Sequence, residues 1–544
     1  MSIKDKIQFS TYPNKNIVWI GSEDGIAFDS QDIKSKLLNL DKACYFVIKN
    51  GLVGVTNEGY LDNLNNSHSQ KIEILTATTP LLPQQLGDSS FLDFHKVKYP
   101  YMTGAMANGI ASEELVIALG KENILSSFGA AGLIPNRIET AIITIQDALP
   151  NQPYCFNLIH SPNELAIEKA TVDLYLKYGV TTVEASAFLD LTPNIVYYRA
   201  VGLNLNSENQ IEIKNKIIAK ISRREIAKKF LEPAPEKILK KLISQGLITQ
   251  LQAKLASQVP VADDITVEAD SGGHTDNRPL VCLLPSIIAL RDEIQAKYNY
   301  QTPVRVGAAG GIATPQSALA AYMMGAAYVV TGSVNQSSLE AAASEHTKRL
   351  LAQTQMADVI MAPAADMFEM GVKLQVLKRG TMFGMRSQKL FDLYRNYNSI
   401  EEIPKLEREK LEKQIFRRNL EEIWQDTVTY FNQRDPQQIT RAENNPKRKM
   451  ALIFRWYLGL SSRWSNTGEK GREIDYQIWC GPAMGAFNNW VQDSYLAEPN
   501  NRSVVDIAYH IMIGSTYLYR LHNLKLQGMF IPTKYWNYCP DPFC

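Results

Sequence analysis

Between Tyr101 and Thr181 the chain repeats itself at an interval that few folds can use. Segments that read as strands lie near Tyr101, Phe128, Tyr154 and Thr181, spaced 27, 26 and 27 residues apart. Each is followed by a run with helical spacing, such as Ser112–Leu119 after Met102–Ala107 and Asn163–Tyr178 after Phe156–Ile159. Strand–helix units at this period imply parallel strands joined by right-handed crossovers. Four further strands are expected at Lys216–Ser222, Asp264–Glu268, Val304–Ala308 and Ala327–Val330. A doubly wound open sheet usually stops near five or six strands, so a count of eight selects a closed (β/α)8 TIM barrel of the α/β class.

The chain has 544 residues, well beyond the roughly 250 a single barrel needs, so other modules are expected around it. Residues 1–95 read as a small N-terminal α+β lobe, with strands at Cys44–Ile48 and Lys71–Leu75. Residues 96–345 read as the barrel. Its interval between strands five and six, 223–262, is a helical insertion broken by Pro233 and Pro235. Residues 346–544 read as a mostly helical C-terminal region that covers or flanks the substrate site. Just after the last barrel strand, 336–360 reads as a polar helix followed by Met/Ala-rich turns. Glu401–Asn432 reads as a solvated amphipathic helix, and 447–495 as an aromatic- and arginine-rich stretch that is either a packed core or a partner surface.

Composition removes several function classes. With 57 basic and 56 acidic residues the net charge is +1, which gives no steering toward nucleic acid or an anionic membrane. The opening residues lack an apolar signal core, and no stretch approaches the roughly 18 uncharged apolar residues of a membrane span. A cytoplasmic enzyme is the expected setting. The six cysteines, Cys44, Cys155, Cys282, Cys480, Cys539 and Cys544, show no CxxC or His/Cys ligand spacing, so no metal site is expected.

Chemistry is expected where strands six, seven and eight end. The stretch V-R-V-G-A-A-G-G-I-A-T-P, Val304–Pro315, reads as strand, glycine turn and helix start, and Thr331-Gly332-Ser333 is a second turn one unit later. Glycine permits close approach of the backbone to a ligand, and amides at a helix start favour an anion, so Gly310, Gly311, Gly332 and Ser333 form a candidate phosphate cradle. The motif E-A-D-S-G-G-H-T-D, Glu268–Asp276, carries His274 on a glycine hinge at the barrel mouth. An imidazole there is suited to donating a hydrogen bond or exchanging a proton near neutrality. The alternative is a turn histidine bonded to Asp270 or Asp276.

Taken together, S-G-G-H-T, A-A-G-G-I-A and V-V-T-G-S resemble the FMN-dependent nitronate monooxygenase and FabK-type enoyl-ACP reductase superfamily. With M-T-G-A-M-A-N-G-I-A-S, P-Y-C-F-N-L-I-H-S-P, T-V-E-A-S-A-F and Y-Q-I-W-C-G-P-A-M-G-A-F-N-N-W, the resemblance narrows. It points to the PfaD-type trans-acting enoyl reductases of polyunsaturated fatty acid and polyketide synthases, from about Tyr101 to Tyr519. The resemblance implies FMN, with its phosphate on Gly310, Gly311, Gly332 and Ser333, and Thr331 in the same turn. It implies Gly104, Ala105 and Met106 against the flavin ring, with Asn157 and Gly273 also cofactor-facing and His274 catalytic. Lys220 is a candidate cation beside the reduced ring, its alternative being a lysine paired with Glu184 or Glu268. The implied reaction is NADPH-driven reduction of 2-enoyl thioesters carried on acyl-carrier-protein domains. Lys447, Arg448, Lys449, Arg455 and Arg463 are candidate docking charges, and a homodimer is compatible with the pattern. The runner-up reading is a nitronate monooxygenase-like flavin oxidase of free small molecules. Two further readings are a non-catalytic synthase component and a metal- or Schiff-base barrel enzyme. No G-x-G-x-x-G fingerprint is present, so a dedicated dinucleotide domain is not expected.

Overall fold

Eight parallel strands close on themselves in the computed structural model, which describes residues 8–9, 16–66, 71–160 and 165–543. They are β1 (Tyr101–Thr103), β2 (Leu125–Phe128), β3 (Cys155–Ile159), β4 (Thr182–Ser186), β5 (Lys216–Ile221), β6 (Asp264–Glu268), β7 (Arg305–Ala309) and β8 (Val329–Thr331). β8 pairs with β1 through Val329–Tyr101 and Thr331–Thr103, which completes the barrel. The period in the sequence therefore marks the strands correctly, each within a residue or two.

The outer helices start where side-chain caps are available. Ser112 accepts from the Leu115 amide, Thr192 from Ile195 and Thr314 from Ser317. Pro193 and Pro315 follow two of these caps, at positions where a missing N–H costs nothing. The helix expected at Asn163–Tyr178 is observed at Leu165–Lys177; Asn163 and Glu164 lie outside the described residues. The insertion after β5 carries three helices, Arg224–Leu231, Glu236–Ser244 and Gln250–Ala256.

The N-terminal segment forms a five-stranded antiparallel sheet that includes Cys44–Lys49 and Ile72–Thr78. The long helix Val504–Leu526 fastens this sheet to the barrel. Its Arg520 donates to the carbonyls of Leu37, Asn39, Leu40 and Lys42 at the end of the helix Ser30–Leu38. Gly514 lets the same helix press on the barrel: a Cβ there would stand 2.5 Å from the Pro315 ring. No helix among the described residues is long and apolar enough to cross a membrane.

Two expectations for the C-terminal region need correction, and a third, left open between two readings, is resolved. The stretch after Ser333 is not helix and turns alone, because β9 (Val359–Pro363) and β10 (Lys373–Leu377) form an antiparallel pair. β10 also pairs on its other edge with the short strand Gly273–His274. Glu401–Asn432 is not one helix: Lys405–Leu411 and Leu420–Arg434 are separated by a π-turn and by Arg417 at φ 56°. A side chain rarely adopts that left-handed conformation inside a helix. The aromatic stretch packs inward, with Phe454, Tyr457 and Trp464 buried against Phe416 and neighbouring rings.

Candidate functional site

The C-terminal ends of the barrel strands bring most of the singled-out residues to one rim. At the end of β1, the Gly104 amide donates to the Thr331 carbonyl at 2.9 Å, which joins the first turn to the last strand. The next amide, Ala105, donates to Glu184 Oε2 at 2.8 Å. Met106 presses its carbonyl on the following strand end, where a Cβ at Gly129 would lie 1.8 Å away. Asn157 on β3 donates to the Glu184 carbonyl at 3.0 Å and to Ser186 Oγ at 2.8 Å. Its amide nitrogen thus ties β3 to β4, which leaves only its oxygen for a ligand.

Lys220 and Glu268, on adjacent strands, form an ion pair at 2.8 Å. Burial works against the lysine's charge, but Glu268 and then Glu184 outweigh it and hold the ammonium above its ordinary value. The glutamate pairing that the sequence allows is therefore present, and it leaves a charged lysine at the rim between two carboxylates. Ser271 donates to the same Glu268 oxygen at 3.3 Å.

His274 does not bond Asp270 or Asp276. Asp270 is taken by Asn277 and Gln375, and Asp276 by Ser222 and Arg223. The partner is Asp366, whose Oδ1 accepts from His274 Nε2 at 3.0 Å. Burial disfavours the imidazolium, yet the hydrogen bond and charge of Asp366, with Glu268 behind them, raise the histidine above its usual value. Asp366 is correspondingly lowered by the same contact, against the opposing effect of burial. Gly273, at φ 79°, makes the turn that presents the ring.

The cradle divides into two kinds of glycine. Gly310, at φ 83°, lies so close to Ala269 that a Cβ would stand 2.7 Å from its carbonyl carbon. Gly311 and Gly332 have nothing within 4 Å of where a Cβ would sit. Among the described residues the amides of Gly310, Gly311, Gly332 and Ser333 donate to no protein acceptor. Gly311 is exposed and Gly310, Gly332 and Ser333 are half-buried, so these amides are open to water or to an anionic group. Thr331 differs: its hydroxyl is buried and bonded to Tyr101 at 2.6 Å and to Asn335 at 2.9 Å, so its side chain braces the barrel.

Three contributors are not apparent from the sequence. Glu184, there only a possible lysine partner, also holds the Ala105 amide. Asp366 arrives from a loop 92 residues beyond His274. Gly481, within the W-C-G-P motif, donates from its amide to Ser333 Oγ at 3.0 Å and packs on the Ser271–Gly272 backbone. That motif is visible in the chain, but nothing in its composition announces a bridge between the histidine loop and the cradle.

The barrel and its flanking segments are each similar to known families. The nitronate monooxygenase family profile matches residues 88–382. The N-terminal domain of the fatty acid synthase subunit PfaD matches 19–80, and the inserted helical domain of [acyl-carrier-protein] S-malonyltransferase matches 397–476. A polyunsaturated fatty acid synthase component of Thraustochytrium sp. is 51% identical over 83% of this chain and 30% of its own length. Polyketide biosynthesis protein PksE of Bacillus subtilis is 45% identical over 83% of this chain and 58% of its own. The chain thus spans less than two thirds of these curated relatives. The crystal structure of the enoyl reductase domain of MlnA, from the macrolactin cluster of Bacillus amyloliquefaciens, is 39% identical with a TM-score of 0.78. That match covers 81% of this chain and 99% of the other. With an eight-stranded barrel whose rim carries these residues, and with one profile matching more than half of its length, the chain belongs to the nitronate monooxygenase family, with an enoyl reductase domain among its relatives.

Proposed function

We propose that the chain is an FMN-dependent enoyl reductase that uses NADPH and acts on 2-enoyl thioesters carried by acyl-carrier-protein domains. The observation that carries this reading is the group of free amides at Gly310, Gly311, Gly332 and Ser333, with open space beside Gly311 and Gly332, on the same rim as Lys220 and His274. The donor set fits a phosphate monoester, and the ring is placed against the Gly104–Met106 turn. When bound, the flavin supplies two-electron hydride transfer, from the nicotinamide and then to Cβ of the enoyl group. Lys220 holds a positive charge where the reduced ring becomes negative, and Glu184 and Glu268 hold the lysine in place. His274 orients the thioester carbonyl and holds the proton that Cα takes. The kinship with fatty acid and polyketide synthase components supports a carrier-bound substrate.

The test is optical. Purified protein is expected to be yellow, to bleach anaerobically with NADPH and to recolour with a crotonyl-carrier thioester. Filling the cradle by Gly332→Val is expected to weaken FMN binding at least about tenfold, roughly 1.4 kcal/mol, by fluorescence titration. His274→Ala is expected to retain FMN while losing most enoyl reduction. Protein that cannot be reconstituted with FMN overturns the proposal. Rapid oxygen consumption indifferent to the carrier replaces it with a free-substrate oxidase.

A further inference from the structure

The pair between His274 and Asp366 joins two parts of the chain that share one strand. β10 holds Gly273–His274 along one edge, with His274 opposite Leu374, and β9 along the other. The β9–β10 connection carries Asp366, closed by the Ala364 amide on the Val372 carbonyl at 2.9 Å and anchored by buried Phe368. Asp366 Oδ1 also accepts from the Met367 amide at 3.1 Å, which fixes the carboxylate before it meets the ring. The contact is not sealed: the two side chains are 35% and 39% exposed.

A carboxylate only accepts, so Nε2 must carry hydrogen in this contact, and Nδ1 is the nitrogen left for a ligand. We propose that Asp366 is a positioning residue for His274: by accepting from Nε2 it fixes the ring so that Nδ1 serves the substrate, and only the doubly protonated ring donates a proton there. The proton passes from Nδ1 to Cα as hydride reaches Cβ, and the neutral Nε2–H imidazole is left behind. The proposal rests on the reading of His274 given above. The groups facing His274 are Asp366, Glu268 and, opposing them, Lys220; Arg455 and its partner Glu369 stand behind Asp366. The purely mechanical alternative is that the pair only fastens the C-terminal region to the barrel.

Nitrogen NMR of the histidine-labelled, FMN-loaded full chain, read beside the pH profile of enoyl reduction, separates these. There are 7 histidines, and His274→Gln identifies the signal to follow. The wild-type ring is expected to be the Nε2–H tautomer once neutral. In Asp366→Asn its titration midpoint is expected to fall by about one pH unit or more, the size of a nearby carboxylate's effect. The alkaline limb of enoyl reduction is expected to move down with it, costing about tenfold in turnover above that midpoint. Asp366→Glu, which keeps the charge, is expected to restore the midpoint. A wild-type Nδ1–H tautomer, an unmoved midpoint in Asp366→Asn, or a midpoint that falls while the alkaline limb of enoyl reduction stays in place overturns the proposal; if the asparagine variant does not fold, the alkaline limb of the wild type, which must follow the wild-type midpoint, decides. Full enoyl reduction by His274→Gln instead removes the histidine from the proposed function and leaves the tautomer result standing.

Discussion

One strand carries a buried acid at its start and a half-open acid at its end, and the two behave oppositely. Asp264 begins β6 at the closed base of the barrel. It accepts from Arg305 Nε at 2.6 Å and Nη2 at 2.9 Å, and from His95 Nε2 at 2.8 Å, with no solvent exposure. Arg305 and Lys216 both lie over the Phe94 ring, 4.4 Å from its centre. Glu268 ends the same strand about 13 Å away, where its pair with Lys220 remains 18% exposed on each side. At the base, Asp264 and Arg305 are paired with each other inside the protein, so neither is left to act on a ligand. At the rim, the Lys220 pair and the His274–Asp366 pair are each left part-open, and that incompleteness suits them to chemistry.

Breaking the base tests the first half of this contrast and carries the largest expected effect. Asp264→Asn leaves Arg305 buried without its counter-charge, which is expected to cost about 3–5 kcal/mol of stability in urea denaturation. The acid limb gives an independent check. Arg305 and His95 overcome the effect of burial and hold Asp264 down at about 2, against 3.8 unfolded. Its contribution is therefore full above about pH 4 and lost as pH falls toward 2. Burial pushes His95 below its ordinary 6.5. Below that pH the unfolded chain binds a proton that the folded one refuses, so stability already declines there on acidification. Asp264→Asn is expected to lose the segment of the curve between about pH 4 and 2.

The two ends of the barrel also differ in how plainly the sequence announces them. The 27-residue period marks the strands because each must be apolar on both faces of a covered parallel sheet. The cradle and the histidine loop are legible because glycine is required where the backbone turns at φ 83° or 79°. Asp366 is not legible: its role depends on the register of β10, and K-L-Q-V-L is too short to separate a strand from an extended loop. The π-turn before Arg417 is hidden for a related reason, since Leu406, Leu411, Ile415 and Leu420 keep helical spacing across it. His95 reaches Asp264 across 169 residues, a contact that no local pattern encodes.

Lys220→Met sharpens the second half of the contrast. It removes the rim's central cation and leaves Glu184 and Glu268 facing each other. Turnover is expected to fall about 10²-fold, the usual loss when one electrostatic stabiliser is removed. The loss of stability is expected to be smaller than for Asp264→Asn, because Glu268 can turn to solvent. Stopped-flow reduction and urea denaturation of the same protein separate the two effects. A stability loss equal to that at the base, with turnover intact, would reduce the rim pair to a structural one.

The smallest effect is expected outside both ends, among the basic residues of the C-terminal region. Lys447 is spent on the carbonyls of Tyr394 and Tyr397, Arg448 on Gln438, and Arg455 pairs with Glu369 at 3.4 Å. They hold the fold together and have little left for a docking partner. Arg463 is exposed, whereas Lys449 has a 3.9 Å contact with Glu421 and lies over the Trp424 ring. Charge reversal at Arg463 is therefore the clean probe of carrier docking. It is expected to raise KM for an acyl-carrier substrate about twofold, leave kcat and stability unchanged, and lose its effect in high salt, as a peripheral charge should. A change in kcat would mean that this surface acts on the chemistry as the rim does, and the separation between the open end of the barrel and its surroundings would fail.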